Sequence, residues 1–150
     1  MIRFLTLTKA LVIQLHRCLT HGLDVALGLR NQQVRITGTR YIPPQTAKLK
    51  PLFDAVVAAI NHASYPPEKA LIAACLIPYL QPFGDGNKRT GRMLANAILF
   101  AYDYYPFSYR NIDVTEYRKA IIVIYERTNV YHMKRLFMEQ LTFSIDNYFR

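Results

Sequence analysis

Apolar residues recur along this chain at helical spacing, with one exception. Leu7, Leu11, Leu15 and Cys18 fall on one face of a first helix that Thr6 or Thr8 can cap and that runs to about His21. Lys48 to His62 repeats the pattern, with Leu49, Leu52, Phe53, Val56, Ala59 and Ile60 directed inward. Pro66 and Pro67 restart the chain, and Glu68 to Leu80 is nearly all apolar, which predicts a central helix buried on every side. Pro78 weakens or kinks its last turn. Met93 to Phe100 belongs to a fourth helix reaching about Tyr102, and Asp103 to Asn111, rich in Tyr and Pro, is a loop. Asp113 or Thr115 caps a fifth helix through Arg127, with Ala120, Ile121 and Ile124 toward the core. After Asn129, a last helix from about Tyr131 to Phe149 carries Met133, Leu136, Phe137 and Leu141 inward. The exception is Gln33 to Ile42, between Gly22 and Gly28 on one side and Pro43-Pro44 on the other. There Val34, Ile36, Tyr41 and Ile42 carry strand propensity around Thr37-Gly38-Thr39, which predicts a small β-hairpin or two extended arms. Together these elements predict a mainly α fold, a compact bundle of about six helices with a hairpin, as one domain over residues 1–150.

Composition narrows the class. At 150 residues with half of them apolar, the chain suits one domain with one core. No uninterrupted apolar stretch is long enough to span a bilayer. Met1 to Leu19 is apolar, but Lys9 interrupts it, which suits an amphipathic helix rather than a secretory leader. Cys18 and Cys75 both sit in apolar helical patterns, so buried free thiols in a reducing, cytoplasmic setting are expected. The cysteines and the four histidines offer no zinc spacing. The net charge of +9 admits an acidic partner, but the cations are scattered and no nucleic-acid motif accompanies them.

The chemistry concentrates in Gln81 to Arg92, Gln-Pro-Phe-Gly-Asp-Gly-Asn-Lys-Arg-Thr-Gly-Arg, a polar bend between two apolar helices. Gly84 and Gly86 let the backbone turn tightly and approach a ligand. Asn87 stands where the second helix begins and is a candidate N-cap. Free N–H groups at a helix start, flanked by Lys88, Arg89 and Arg92, make a site for phosphate. Asp85 is the one carboxylate among them and is placed to hold a divalent metal that bridges phosphate oxygens.

This segment resembles the signature of the Fic family, His-Pro-Phe-x-(Asp/Glu)-Gly-Asn-(Gly/Lys)-Arg-x-x-Arg. Pro82, Phe83, Asp85, Gly86, Asn87, Arg89 and Arg92 match, and Lys88 matches the Doc-like form. A second likeness lies in Gly28-Leu29-Arg30, Val34-x-Ile36-x-Gly38 and Tyr41-x-Pro43-Pro44, which is similar to the family's flap, an exposed hairpin that pairs with an extended target segment. The resemblance implies a Fic-type protein nucleotidyltransferase, moving AMP from ATP to a hydroxyl side chain of a target protein. It assigns Mg²⁺ to Asp85, and the phosphates of ATP to Gly86, Asn87, Lys88, Arg89 and Arg92. Gln81, Asn87 and Arg89 hold the catalytic positions, and Val34, Ile36, Gly38 and Tyr41 the target-docking flap. By position on the fifth helix, Tyr117 and Tyr125 are candidates to face adenine.

One departure decides the chemistry: the family's motif histidine, which takes the proton from the attacking hydroxyl, is Gln81. A carboxamide has no accessible proton equilibrium. Loss of a general base costs about 10²–10⁴-fold in rate. The substitution is consistent with a laboratory change, a natural variant with weakened or altered transfer, or a catalytically inactive nucleotide-binding and peptide-docking pseudoenzyme. His16, His21, His62 and His132 are all remote from the motif in sequence. The family's inhibitory helix, (Ser/Thr)-x-x-x-Glu-(Gly/Asn), has only an imperfect counterpart in Thr142 to Asn147, where Asp146 replaces Glu. An inhibitory partner chain, or a segment outside this sequence, is the alternative.

Overall fold

The computed structural model describes residues 6–148. The first five positions of the Met1–Leu19 segment, and the predicted helix end at Phe149, lie outside that range. Six helices follow in order: α1 (Lys9–Leu19), α2 (Thr46–His62), α3 (Pro66–Leu80), α4 (Asn87–Ala101), α5 (Val114–Arg127) and α6 (Tyr131–Tyr148). None of them is long and apolar enough to cross a membrane.

The axis is α3, which packs against α2, α4, α5 and α6. Its composition dictates this. Ala70, Ala73, Ala74, Cys75, Ile77 and Leu80 are buried, and Leu71, Ile72, Leu76 and Tyr79 on the remaining face are half-buried. Such a helix cannot lie at a surface without exposing an apolar face. One core cluster forms between α1, α2, α3 and α4, with Val12, Phe53, Ile77 and Leu99 fully covered. A second joins Cys75 to Ala120, Ile121, Ile124 and Tyr125 of α5 and to Met133 and Leu136 of α6. Burial pushes the Cys75 thiol up to about 12, so it stays protonated and inert.

The helix starts follow capping chemistry. Thr8 accepts from the Leu11 N–H, and Asp113 from the Thr115 N–H at 2.8 Å. That bond holds the Asp113 carboxyl below its usual range. At the far end of α2, Lys69 Nζ donates to the Ile60 and Asn61 carbonyls at 3.0 and 2.9 Å, which satisfies a helix C-terminus with a cation.

Three details differ from the periodicity. The buried face of α1 is Val12 and His16, whereas Leu11 and Cys18 are exposed. Both line an apolar cleft of about 250 Å³ between α1, α2 and α4, so they border the core, whereas Leu7 is buried in it and Leu15 packs against it. Leu52 of α2 is likewise exposed, and Val57 is buried in its stead. The largest difference is in residues 31–45, where no strand forms among the described residues. β-propensity needs a ladder, and here side chains take the carbonyls that a ladder would use. Gln33 Nε2 donates to the Pro43 carbonyl at 2.8 Å, and Arg30 donates to the carbonyls of Gln32 and Pro44. Pro43 and Pro44 have no N–H to return. Between its own backbone groups the excursion forms one described turn, at its tip, where the Thr39 N–H donates to the Ile36 carbonyl around Gly38, whose φ is +80°.

Candidate active site

The motif corner is built from hydrogen bonds between side chains and backbone. Helix α3 runs through Pro78 and ends at Gln81, a non-glycine residue in the left-handed region with φ 53°. That conformation costs about 1 kcal/mol, and four contacts hold it. The Gln81 N–H donates to the Ile77 carbonyl at 3.1 Å, and the Gln81 carbonyl accepts from Arg30 Nε at 2.7 Å. Its amide nitrogen donates to the Pro78 carbonyl at 2.7 Å, and its amide oxygen accepts from Asn87 Nδ2 at 2.9 Å. Asn87 is buried and also closes on Phe83, accepting from its N–H at 3.0 Å and donating to its carbonyl at 2.9 Å.

The N-cap expectation for Asn87 is therefore corrected. Gly86, at φ 80°, is the cap residue, and Asn87 is the first residue of α4 with its amide turned back into the loop. No described side chain caps α4, so the amides of Asn87, Lys88 and Arg89 carry no side-chain acceptor. Helix starts of this kind attract anions. Asp85 Oδ1 accepts from the Gly86 N–H at 2.6 Å, and Oδ2 lies 3.7 Å from Arg89 Nη2. The Asp85 side chain is 73% exposed, so this pair is a weak tether. One exposed carboxylate suits Mg²⁺, which binds through one or two carboxylates together with substrate phosphates. Among the described residues no cluster of three or more His, Cys, Asp or Glu could hold a metal by itself.

These residues share one hollow of about 580 Å³. Gln81, Asp85, Gly86, Asn87, Lys88, Arg89 and Arg92 form its floor. Val34, Arg35, Ile36 and Thr37 from the excursion form one wall, and Val114, Tyr117, Arg118 and Ile121 of α5 the other. Gly38 and Tyr41 stand outside it. Tyr41 instead anchors the excursion: its hydroxyl donates to the Tyr79 carbonyl at 2.7 Å, and its ring stacks on Tyr125 at 5.4 Å. Burial raises the Tyr41 hydroxyl above the usual tyrosine range, so it remains a donor. Arg92 lies 5.4 Å over the Tyr117 ring, a cation–π contact that fixes the guanidinium beside the helix start. Of the two tyrosines, Tyr117 lines the hollow, whereas Tyr125 is buried behind Gln81. The Tyr125 hydroxyl has no hydrogen bond of good geometry, although the Gln81 amide lies near enough to oppose the upward shift that burial imposes.

Sequence reasoning missed three residues. His16 is fully buried against the back of the motif loop, stacked on Phe83 with centroids 3.8 Å apart, and its Nε2 lies 2.9 Å from the Asp85 carbonyl. Nothing local marks it, because it reaches the loop from 69 residues away. Arg35 and Arg118 line the hollow from opposite walls and lie outside the motif. Their only signal was adjacency to Val34, Ile36 and Tyr117.

The sequence model of the Fic/DOC family matches residues 6–99. A probable protein adenylyltransferase of Aquifex aeolicus is 28% identical over 127 residues, covering 80% of this chain and 40% of that protein. The chain thus spans about two fifths or less of the curated relatives first matched. Among solved structures, Fic-1 (residues 134–508) of Caenorhabditis elegans superposes with a TM-score of 0.83 at 23% identity, covering 96% of this chain and 43% of that one. The BepC protein of Bartonella tribocorum with bound AMPPNP gives 0.72 at 20% identity, covering 87% and 72%. With a family match over most of its length, and a helical fold shared with these structures, the chain belongs to the Fic/DOC family.

Proposed function

We propose that this chain is a nucleotidyltransferase module that binds ATP at the start of α4 and transfers AMP, with weakened activity toward hydroxyl acceptors. The observation that carries the reading is the single hollow in which the uncapped helix start, Lys88, Arg89, Arg92 and the excursion at Val34–Thr37 all meet. The first supplies amide dipoles for phosphate, the cations stabilise the leaving pyrophosphate, and the last lies where a target segment can run. Relatives named protein adenylyltransferases and a structural neighbour holding AMPPNP support the choice of an adenine nucleotide. Asp85 together with the phosphates would hold Mg²⁺, which supplies positive charge to the phosphate oxygens during displacement. Arg89 and Arg92 hold the outer phosphates through planar, bidentate donors, and Tyr117 steadies Arg92. Gln81 keeps the corner closed but takes no proton.

The second reading is a binding module without chemistry, favoured by the locked Gln81 amide. Calorimetric titration with ATP and Mg²⁺, paired with labelling from α-labelled ATP, separates the two. A transferase labels itself or a protein acceptor, and Arg89→Ala removes the label. ATP binding with no label from this chain on any acceptor, set against strong label from Gln81→His, identifies the binding module.

A further inference from the structure

A hollow that grips ATP but holds no base limits what can react in it. Both ends of the Gln81 amide are committed, to the Pro78 carbonyl and to Asn87. His16 is sealed behind the loop on the Asp85 carbonyl, and no histidine lines the hollow. Its one carboxylate, Asp85, is tied to the Gly86 N–H and faces Arg89. A hydroxyl acceptor there would have to lose its proton unaided.

The charge of the hollow points the same way. Its lining holds Arg35, Lys88, Arg89, Arg92 and Arg118 against Asp85 alone. A magnesium–ATP complex carries about two net negative charges. Lys88, Arg89 and Arg92, offset by Asp85, already match that charge. Arg35 and Arg118 are therefore in excess of what the nucleotide needs. Both are exposed, and neither forms an ion pair among the described residues. They stand on the wall of the excursion and on α5, flanking the floor where Gln81 lies.

We propose that the acceptor is a phosphate monoester, an oxygen nucleophile already ionised at neutral pH, held by Arg35 and Arg118 beside the bound nucleotide. This rests on the nucleotidyl-transfer reading above. The second ionisation of a phosphate monoester lies near pH ~6, so the dianion dominates at neutral pH. Its oxygen attacks the α-phosphorus of ATP. A new phosphorus–oxygen bond forms, and the bond from the α-phosphorus to the oxygen bridging the β-phosphate breaks. Pyrophosphate leaves with the electron pair. The product is an adenylylated phosphate with a diphosphate linkage, and no proton is transferred. The missing base and the two surplus guanidiniums are then two sides of one acceptor preference.

The test uses the full chain with Mg²⁺, α-labelled ATP and three acceptors: O-phosphoserine, a peptide carrying phosphoserine, and the same peptide carrying serine. The phosphorylated acceptors are expected to take label at least about a hundredfold faster than the serine peptide, the margin that general-base help normally supplies. Label in both phosphorylated probes means that a small phosphomonoester suffices; label in the phosphopeptide alone means that flanking chain on the excursion is needed. Gln81→His shifts the ratio of serine to phosphoserine transfer by about 10²–10⁴-fold toward serine. Arg35→Gln and Arg118→Gln each raise the KM for the phosphorylated acceptor about tenfold, with a smaller change for ATP. Faster labelling of serine than of phosphoserine by the unaltered chain overturns the proposal. So does an absence of label in both phosphorylated probes while Gln81→His labels the serine peptide; residual serine label from the unaltered chain then leaves the transferase reading intact, and none on any acceptor identifies the binding module. No ATP binding and no label from either protein overturns both.

Discussion

The motif corner and the 31–45 excursion face each other across the hollow, yet they are held by opposite means. At the corner nearly every polar group of Gln81 and Asn87 has a partner within the protein. The excursion is fastened at its ends, at Tyr41 and at Arg40, whose N–H donates to Glu126 of α5, with a single turn at its tip. A phosphate site gains from donors fixed in advance, because electrostatic stabilisation works best when nothing reorganises during the reaction. A surface meant to receive an extended segment gains from backbone left unpaired. Rigidity and vacancy are thus divided between the floor of one hollow and one of its walls.

Three substitutions test that division, from the largest effect to the smallest. Asn87→Ala strands the buried N–H and carbonyl of Phe83 and releases Gln81. Unsatisfied buried groups cost about 1–3 kcal/mol each. A loss of about 3 kcal/mol in urea unfolding, with loss of ATP binding by calorimetry, is the expected outcome. Retained ATP binding would show that the corner does not need its bond ring.

Gly91→Ala tests the corner from behind. An added Cβ would lie 2.9 Å from Pro78 Cδ and 3.2 Å from the Ala73 carbonyl, where α3 and α4 meet. Neither a proline ring nor a backbone oxygen yields easily, so overpacking of about 1–3 kcal/mol is partly offset by about 1 kcal/mol of helix propensity. The midpoint of thermal unfolding should fall by a few degrees, and ATP affinity should weaken as the start of α4 shifts. A higher midpoint would mean that the interface has slack.

Gly38→Ala is the counterpart on the excursion, at its tip outside the hollow. No atom lies within 4 Å of the added methyl, so only the positive φ opposes it. Expected is about 1 kcal/mol of strain, read as a lowered KM-normalised rate with acceptor peptide while calorimetric ATP affinity stays within twofold. An equal loss of ATP binding would mean that the corner and the excursion are coupled and that the comparison fails.

What the sequence made legible follows the same line. All six helices could be read, α3 because it is apolar nearly throughout and α5 and α6 because their buried faces impose a period on the chain. The motif residues could be read as one site because their bonds are local, as those from Asn87 to Phe83 and Gln81 are. The hairpin misled, since strand propensity at Val34 and Ile36 says nothing about whether a partner strand exists. Its carbonyls went to Arg30 and Gln33, a competition fixed by tertiary placement. His16, Arg35 and Arg118 were invisible for a related reason: each acquires its role from what lies opposite in space.

Arg30 carries one more consequence. It is 95% enclosed, without a carboxylate partner, and a single guanidinium joins carbonyls from Gln32, Pro44 and Gln81. Burial lowers its affinity for the proton, but the carbonyl dipoles leave it no use for a counter-charge. The excursion is therefore not a cassette that can be exchanged independently of the helix corner. A transplanted segment would have to bring its own arginine, in register with the recipient's helix corner, or the graft would unseat the very floor it was meant to serve.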